Sequence, residues 1–274
     1  MSEAIYRGMD RRALDAAYNN RNAVPDYAAI AADRVARSDQ FRRSRPFHAD
    51  LRYGGGARER LDFFPAAQPG APVLAFIHGG YWQLNDKEPS SFLAAGPLAR
   101  GFSVALIEYT LAPDADIAGI TGEVGRAVDW LVAHAQEYGS DPARLYVSGH
   151  SAGGHLTAMM LGRPGVAGAL AISGLFDLEP IRLCYLNDKL RLTEASAQAH
   201  SPLRHVPSRH PPIAVAAGAA ELPELVRQSY EYAAALSVPP LLLAGHDHFS
   251  ILEELASPDG ALCRALDALA GRKL

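Results

Sequence analysis

From residue 72 onward the chain alternates short apolar runs with longer amphipathic ones, and this alternation limits the architecture more than any other feature. PVLAFI, FSVALIEY, ARLYVSG, VAGALAIS, PIAVAAG and PLLLAG read as buried strands. Between them, EVGRAVDWLVAHAQEYG sets Val124, Ala127, Val128, Leu131, Val132 and Ala135 at helical spacing, and SAGGHLTAMML and ELVRQSYEYAAALS read as helices. Strands that are apolar throughout must be covered on both faces. The expected architecture is therefore α/β, with a mostly parallel central sheet and helices on both sides. In such a sheet, ligands bind beyond the carboxyl ends of the strands.

The flanking segments depart from this rhythm. Residues 1–46 carry helical signals in RRALDAAYNN and DYAAIAADRVARS, broken at Val24-Pro25, and are expected to form an N-terminal helical cap segment. HADLRY and RERLDFF, joined by Gly54, Gly55 and Gly56, read as a hairpin. Residues 178–210 form a second cap or insertion, and the tail from Ser250 is helical, able to support a homodimer or to pack on the sheet. Residues 1–274 are read as one domain.

The formal charge of −4 argues against a nucleic-acid surface. MSEAIYRGMDRRALD has no continuous apolar segment, so neither a signal peptide nor a membrane span is expected. Cys184 and Cys263, far apart and outside any CxxC pattern, predict no disulfide and a cytoplasmic setting.

Within the strand–helix pattern, Gly149-His150-Ser151-Ala152-Gly153 gives a G-x-S-x-G turn between RLYVS and the helix that follows. A serine on so sharp a turn needs small neighbours two positions away and presents its Oγ at the sheet edge, which points to a nucleophile. A nucleophile needs donors for the oxyanion it creates. HGGYW, after PVLAFI, offers Gly79 and Gly80, and the N–H of Ala152 is a third. His78 is expected to hold that loop by hydrogen bonding, while Tyr81 and Trp82 either line the acyl pocket or pack beneath it. The general base should follow the last strand, where GHDHFS offers His246 and His248. An H-x-H pair without a third ligand beside it is a poor metal site.

HGGYW, YTLAP at 109–113, GHSAGGHL, DHFSI, AYNNRNAVPDY, ISGLFDLEPI and the ELPELVRQS stretch from 221 resemble the arylformamidase (kynurenine formamidase) branch of the α/β-hydrolases, a branch related to the hormone-sensitive-lipase-like esterases. The resemblance spans nearly the whole chain. It implies an α/β-hydrolase fold and hydrolysis of an N-formylkynurenine-like aryl formamide by a serine triad without cofactor or metal, and it places the base on His248. It also exposes a departure. The family's acid, usually Asp, aligns with Ala220. Glu221, one residue later and one methylene longer, is expected to replace it, with Asp177 second and Glu224 and Asp247 behind. The competing role for Glu221 is to cap the following helix.

Substrate choice is expected to lie with the N-terminal segment, where Tyr18, Asn19, Asn20 and Arg21 could fold over the mouth, and with 178–210, where Arg182 or Arg191 would meet a carboxylate. Tyr81, Trp82 and Phe249 suggest a small aromatic or short-acyl substrate. A small-ester carboxylesterase is the alternative, since both reactions pass through a tetrahedral acyl-transfer step. A pseudoenzyme that binds a small molecule is the alternative from another class.

Overall fold

The computed structural model describes residues 3–272; Met1, Ser2, Lys273 and Leu274 lie outside it. Eight strands make one sheet: β1 (His48–Arg52), β2 (Arg60–Phe64), β3 (Ala71–Ile77), β4 (Ser103–Ile107), β5 (Ser140–His150), β6 (Val166–Ile172), β7 (Ile213–Gly218) and β8 (Leu241–Leu243). Their order is β1-β2-β4-β3-β5-β6-β7-β8. β1 pairs antiparallel with β2, and β2 antiparallel with β4, while every other pairing is parallel. This is an α/β-hydrolase fold, with the expected hairpin at one edge.

The chain leaves β3 to one side for β4 and returns to the other for β5. That reversal opens a crevice at the carboxyl ends of β3 and β5, the position at which open α/β sheets bind ligands. The two strands are in register there, with Ile77 paired to Gly149. The HGG loop and the serine turn therefore leave the sheet side by side.

Alternate residues of each strand feed opposite cores, as the two-residue period requires. Val73, Ala75, Ile77, Ala105, Ile107, Leu145 and Val147 pack with Val124, Ala127, Val128 and Leu131 of the helix Ile117–His134. Leu74, Phe76, Val104, Leu106, Leu170 and Ile172 pack on the other face with Ile251, Leu255, Leu262 and Leu266. The helical tail from Ser250 thus buries its apolar side against the sheet. Residues 178–210 break into the short helices Glu179–Arg182, Asn187–Leu190 and Glu194–Ala199. They bury Ile181, Leu186 and Leu190 in the first core and dock on the helix Arg11–Ala17, where Asp15 Oδ1 accepts the Tyr185 N–H at 2.7 Å. No helix among the described residues is long and apolar enough to cross a membrane.

The helix Tyr27–Arg43 lies along the 3₁₀ turn Glu88–Ala94. Buried charges fasten the two. Lys87 Nζ sits 3.2 Å from Asp62 on β2 and 2.9 Å from Asp50, and also pairs with Glu88; Arg42, from the helix, pairs with the other Asp62 oxygen. Asp62 and Lys87 are both sealed from solvent. Burial works against the Lys87 ammonium, yet the hydrogen bonds to Glu88 and Asp50 outweigh it and hold its pKa above the ordinary lysine value. Removing one member of a buried charge group leaves the others unpaired, at a cost of about 3–5 kcal/mol. Lys87→Met is accordingly expected to lower unfolding free energy by about 3 kcal/mol or more in urea titrations, and a loss below 1 kcal/mol would show that the network carries no such burden.

Candidate active site

Ser151 adopts φ 58° and ψ −117°, a left-handed conformation that a side chain tolerates only when its surroundings impose it. The surroundings are backbone. A Cβ on Gly153 would collide with the Ile77 carbonyl, and one on Gly149 with the Gly153 carbonyl. Both glycines are therefore required by contact, and they let the helix Ala152–Met159 start directly against the ends of β3 and β5. The Ser151 N–H is held by the Ile172 carbonyl at 2.9 Å, which ties the turn to β6 as well.

His248 follows β8 on a loop shaped by Asp247, whose Oδ1 accepts the N–H groups of Phe249 and Ser250 at 2.8 Å each. The His248 Nδ1–H donates to Glu221 Oε2 at 2.7 Å, which leaves Nε2 as the basic nitrogen of the neutral ring. The other Glu221 oxygen accepts the Ser173 hydroxyl at 2.6 Å and the Gly218 N–H at 2.7 Å. The turn after β7 closes through Ala219 N–H to Leu243 O and Ala220 N–H to His246 O, leaving Ala220 exposed and turning Glu221 inward. The rival carboxylates are committed elsewhere. Asp177 takes Tyr6 and Glu179 N–H, Glu224 takes Tyr18 and Arg227, and Asp247 serves its own loop. His246 pairs with Glu254 at 3.2 Å. Glu221 precedes the helix Pro223–Ala235 and spends its carboxylate on the histidine rather than on the helix end.

The HGG loop is fixed from below. His78 donates through Nε2 to Glu108 at 3.0 Å, and its Nδ1 lies 2.9 Å from the Gly79 carbonyl. Burial would raise the Glu108 carboxyl, but the His78 hydrogen bond and charge, with Arg58, outweigh it and hold the group down at about 2. Tyr109 stacks on His78 with ring centroids 4.3 Å apart and donates its hydroxyl to the His78 carbonyl at 3.0 Å. That contact gives the YTLAP segment a job that its sequence left unread. The Gly79 carbonyl also accepts Asn85 Nδ2 at 3.0 Å. In a planar trans peptide, the N–H of Gly80 must then point to the opposite side.

Ser151, His248, Gly79, Gly80, Tyr81 and Phe249 line one cavity of about 210 Å³. Trp82 does not. It is wholly buried in the core, edge-on to His155 at 5.0 Å, so packing beneath the loop is its place. Ala152 is also buried, contributing the first N–H of its helix, a group that has no partner within the helix. His150 was missed as a site residue. Its ring borders the cavity and donates through Nε2 to the His248 carbonyl at 2.7 Å, tying the serine turn to the histidine loop.

The remaining walls come from the N-terminal segment, through Asn20, Arg21, Tyr27, Ala31, Arg34 and Val35, and from residues of the segment 84–93 with Leu252. Residues 178–210, expected to share that role, contribute none of the lining among the described residues. Arg182 pairs with Glu179 at 2.6 Å, and Arg191 ends a short helix at the surface. Their apolar residues were needed by the core.

A family model described as BD-FAE matches residues 61–165. Kynurenine formamidase of Danio rerio is 35% identical over 243 residues, covering 81% of this chain and 82% of that one. Kynurenine formamidase of Drosophila melanogaster is 30% identical over 240 residues, 79% of each chain. The chain belongs to the family of α/β-hydrolase esterases and amidases that includes the kynurenine formamidases. A solved structure from Silicibacter sp. TM1040, whose name proposes thioesterase activity, superposes with a TM-score of 0.85 at 31% identity over 92% of this chain and 98% of its own. EstE1, a carboxylesterase cloned from a metagenomic library, shares the fold at a TM-score of 0.70 and 20% identity, over 89% of this chain and 95% of its own.

Beneath the site, His155 donates through Nε2 to the His200 carbonyl at 2.8 Å and leaves Nδ1 buried without a partner. Burial, the largest effect, pulls its pKa down to about 4. The folded state thus binds this proton less readily than the unfolded chain. The contribution is complete above the unfolded value near 6.5 and is lost as pH falls toward 4. Wild type is expected to lose about 3 kcal/mol more than His155→Gln between pH 7 and pH 4 in urea titrations; equal losses would contradict this assignment.

Proposed function

We propose that the chain is a serine hydrolase of small carboxylic esters and aryl formamides, working through an acyl-enzyme. The observation that carries this reading is the Glu221–His248 hydrogen bond, made beside a cavity whose wall includes Ser151. Ser151 Oγ attacks the substrate carbonyl while His248 Nε2 takes its proton, and Glu221 holds the ring in that tautomer and stabilises the imidazolium that results. The tetrahedral oxyanion is met by the N–H groups of Gly79, Gly80 and Ala152, each such donor being worth about 3 kcal/mol. Collapse expels the alcohol or amine, which receives the proton from His248. Water then repeats the sequence on the acyl-serine, releasing the carboxylic acid and restoring Ser151.

The cavity bounds the acyl group and the leaving group together. An apolar space of about 150 Å³ takes one benzene ring, so about 210 Å³ suits a single substituted ring with a short acyl group. Tyr27, Tyr81, Phe92 and Phe249 supply its aromatic surface, and a cytoplasmic enzyme acting on a soluble small molecule is the setting we infer. Ester cleavage draws support from the carboxylesterases that share the fold. Formamide cleavage is favoured by a specific observation: the relatives matched over most of their length are named kynurenine formamidases.

The two are separated by kcat/KM for N-formyl-L-kynurenine and p-nitrophenyl acetate side by side, with Ser151→Ala as the blank. Turnover of either substrate that vanishes in Ser151→Ala is the expected result, and preference between them names the bond. No turnover of either would favour a binding protein that keeps the scaffold. Glu221→Gln is expected to lower kcat by a factor on the order of 10⁴, whereas Asp177→Asn keeps it near the wild-type value; the reverse pattern would move the acid to Asp177.

A further inference from the structure

One buried side chain at the cavity carries a hydrogen-bonding atom that no described residue satisfies. His150 is 6% exposed, and its ring borders the cavity beside Ser151 and Gly79. Its Nε2 lies 2.7 Å from the His248 carbonyl, which can only accept, so the ring hydrogen is on Nε2. Burial, joined by the neighbouring His248 and Arg34, holds its pKa well below the ordinary histidine value and keeps the ring neutral. Nδ1 therefore presents a lone pair and is an acceptor. Unlike His155 Nδ1, which is sealed in the core without a partner, His150 Nδ1 keeps accessible surface.

The glycine loop shows where that lone pair faces. A Cβ added to Gly79 would stand 3.1 Å from Ser151 Cβ and 3.4 Å from His150 Nδ1. The nucleophile and the free nitrogen thus lie on the same side of Gly79, within reach of one bound molecule. The imidazole is fixed there by its bond to the His248 carbonyl and by the His248 ring, 4.5 Å away and tilted by 44°. An acceptor held at the reacting end of the cavity distinguishes two kinds of scissile bond. An amide or formamide carries an N–H on the atom that leaves, whereas an ester has an oxygen there with lone pairs only. The N–H meets Nδ1 as a donor; the ester oxygen sets lone pair against lone pair. A buried polar atom that is left unpaired by the wrong substrate costs that substrate affinity and rate.

We propose that His150 Nδ1 accepts the N–H of the scissile amide and so sets the preference of this site for amides over esters. With its hydrogen engaged, the nitrogen is held in one orientation while His248 delivers the proton with which it leaves. The inference rests on the hydrolase reading for the bond that is cut, while the preference in binding is measurable without turnover. A His150 that only tied the serine turn to the histidine loop would serve amide and ester alike, so the ratio between them separates the two roles.

The test is isothermal titration of acetanilide and of phenyl acetate into the full Ser151→Ala chain. The two ligands differ only in N–H against O at the scissile position, and this variant has no hydroxyl to acylate. Acetanilide is expected to bind more tightly, and His150→Leu on the same background to lower that preference about fivefold, the worth of one hydrogen bond. His150→Gln, which keeps a donor for the His248 carbonyl and an acceptor beside it, restores part of the preference. The ratio cancels any general damage to the fold. A preference that His150→Leu leaves unchanged, or that His150→Gln does not restore, overturns the proposal. Failure of the hydrolase reading looks different: the binding ratios shift as expected, and the wild-type chain turns over neither ligand.

Discussion

Two glycines, one at the end of β5 and one in the first turn of the helix that follows, let three backbone segments meet with no room for a side chain, and the rest of the site is organised around that contact. Gly149 and Gly153 bring the helix Ala152–Met159 against the carbonyl of Ile77, which forces Ser151 into its left-handed conformation and sets it beside the HGG loop. The strain at Ser151 is local, but its support is not. β6 holds the serine N–H, His150 reaches the histidine loop, and His78 with Glu108 fixes the glycine peptide opposite. A site assembled from the ends of several strands is held to a common geometry by the sheet they share.

The second device is electrostatic. A carboxylate buried against an imidazole is costly unless its remaining oxygen is also satisfied. Glu221 meets that condition through Ser173 and Gly218, both at strand ends, so the carboxylate is oriented before any substrate arrives. The longer side chain matters here. From the position after the exposed Ala220, glutamate spans the gap to His248, and the turn needs only to direct residue 221 inward.

Much of this was legible in the sequence because it is periodic or local. Apolar strands alternating with helices identify a sheet covered on both faces, and the serine turn and HGG loop follow from glycines whose spacing has a steric reason. His248 and Glu221 came from chain order together with family resemblance, and the structure brings them within hydrogen-bond distance. What escaped was set by tertiary packing. Tyr81 and Trp82 share positive φ and adjacent positions, yet one faces the cavity and the other the core, a difference no local pattern encodes. Residues 178–210 looked like a cap because they interrupt the alternation, but most of their leucines and Ile181 are packed into the core on one face of the sheet. Arg34 gave no signal at all, being one of several arginines on a polar helix; only the fold shows that it borders the cavity.

The central claim is that Ser151 is the nucleophile of this arrangement. Its most direct test is intact-mass and peptide analysis after brief treatment with a fluorophosphonate probe, using wild type and Ser151→Ala. The structure predicts a single phosphonyl adduct on the peptide containing Ser151, absent from the variant. An unmodified wild-type chain, or an adduct that persists in Ser151→Ala, would contradict it.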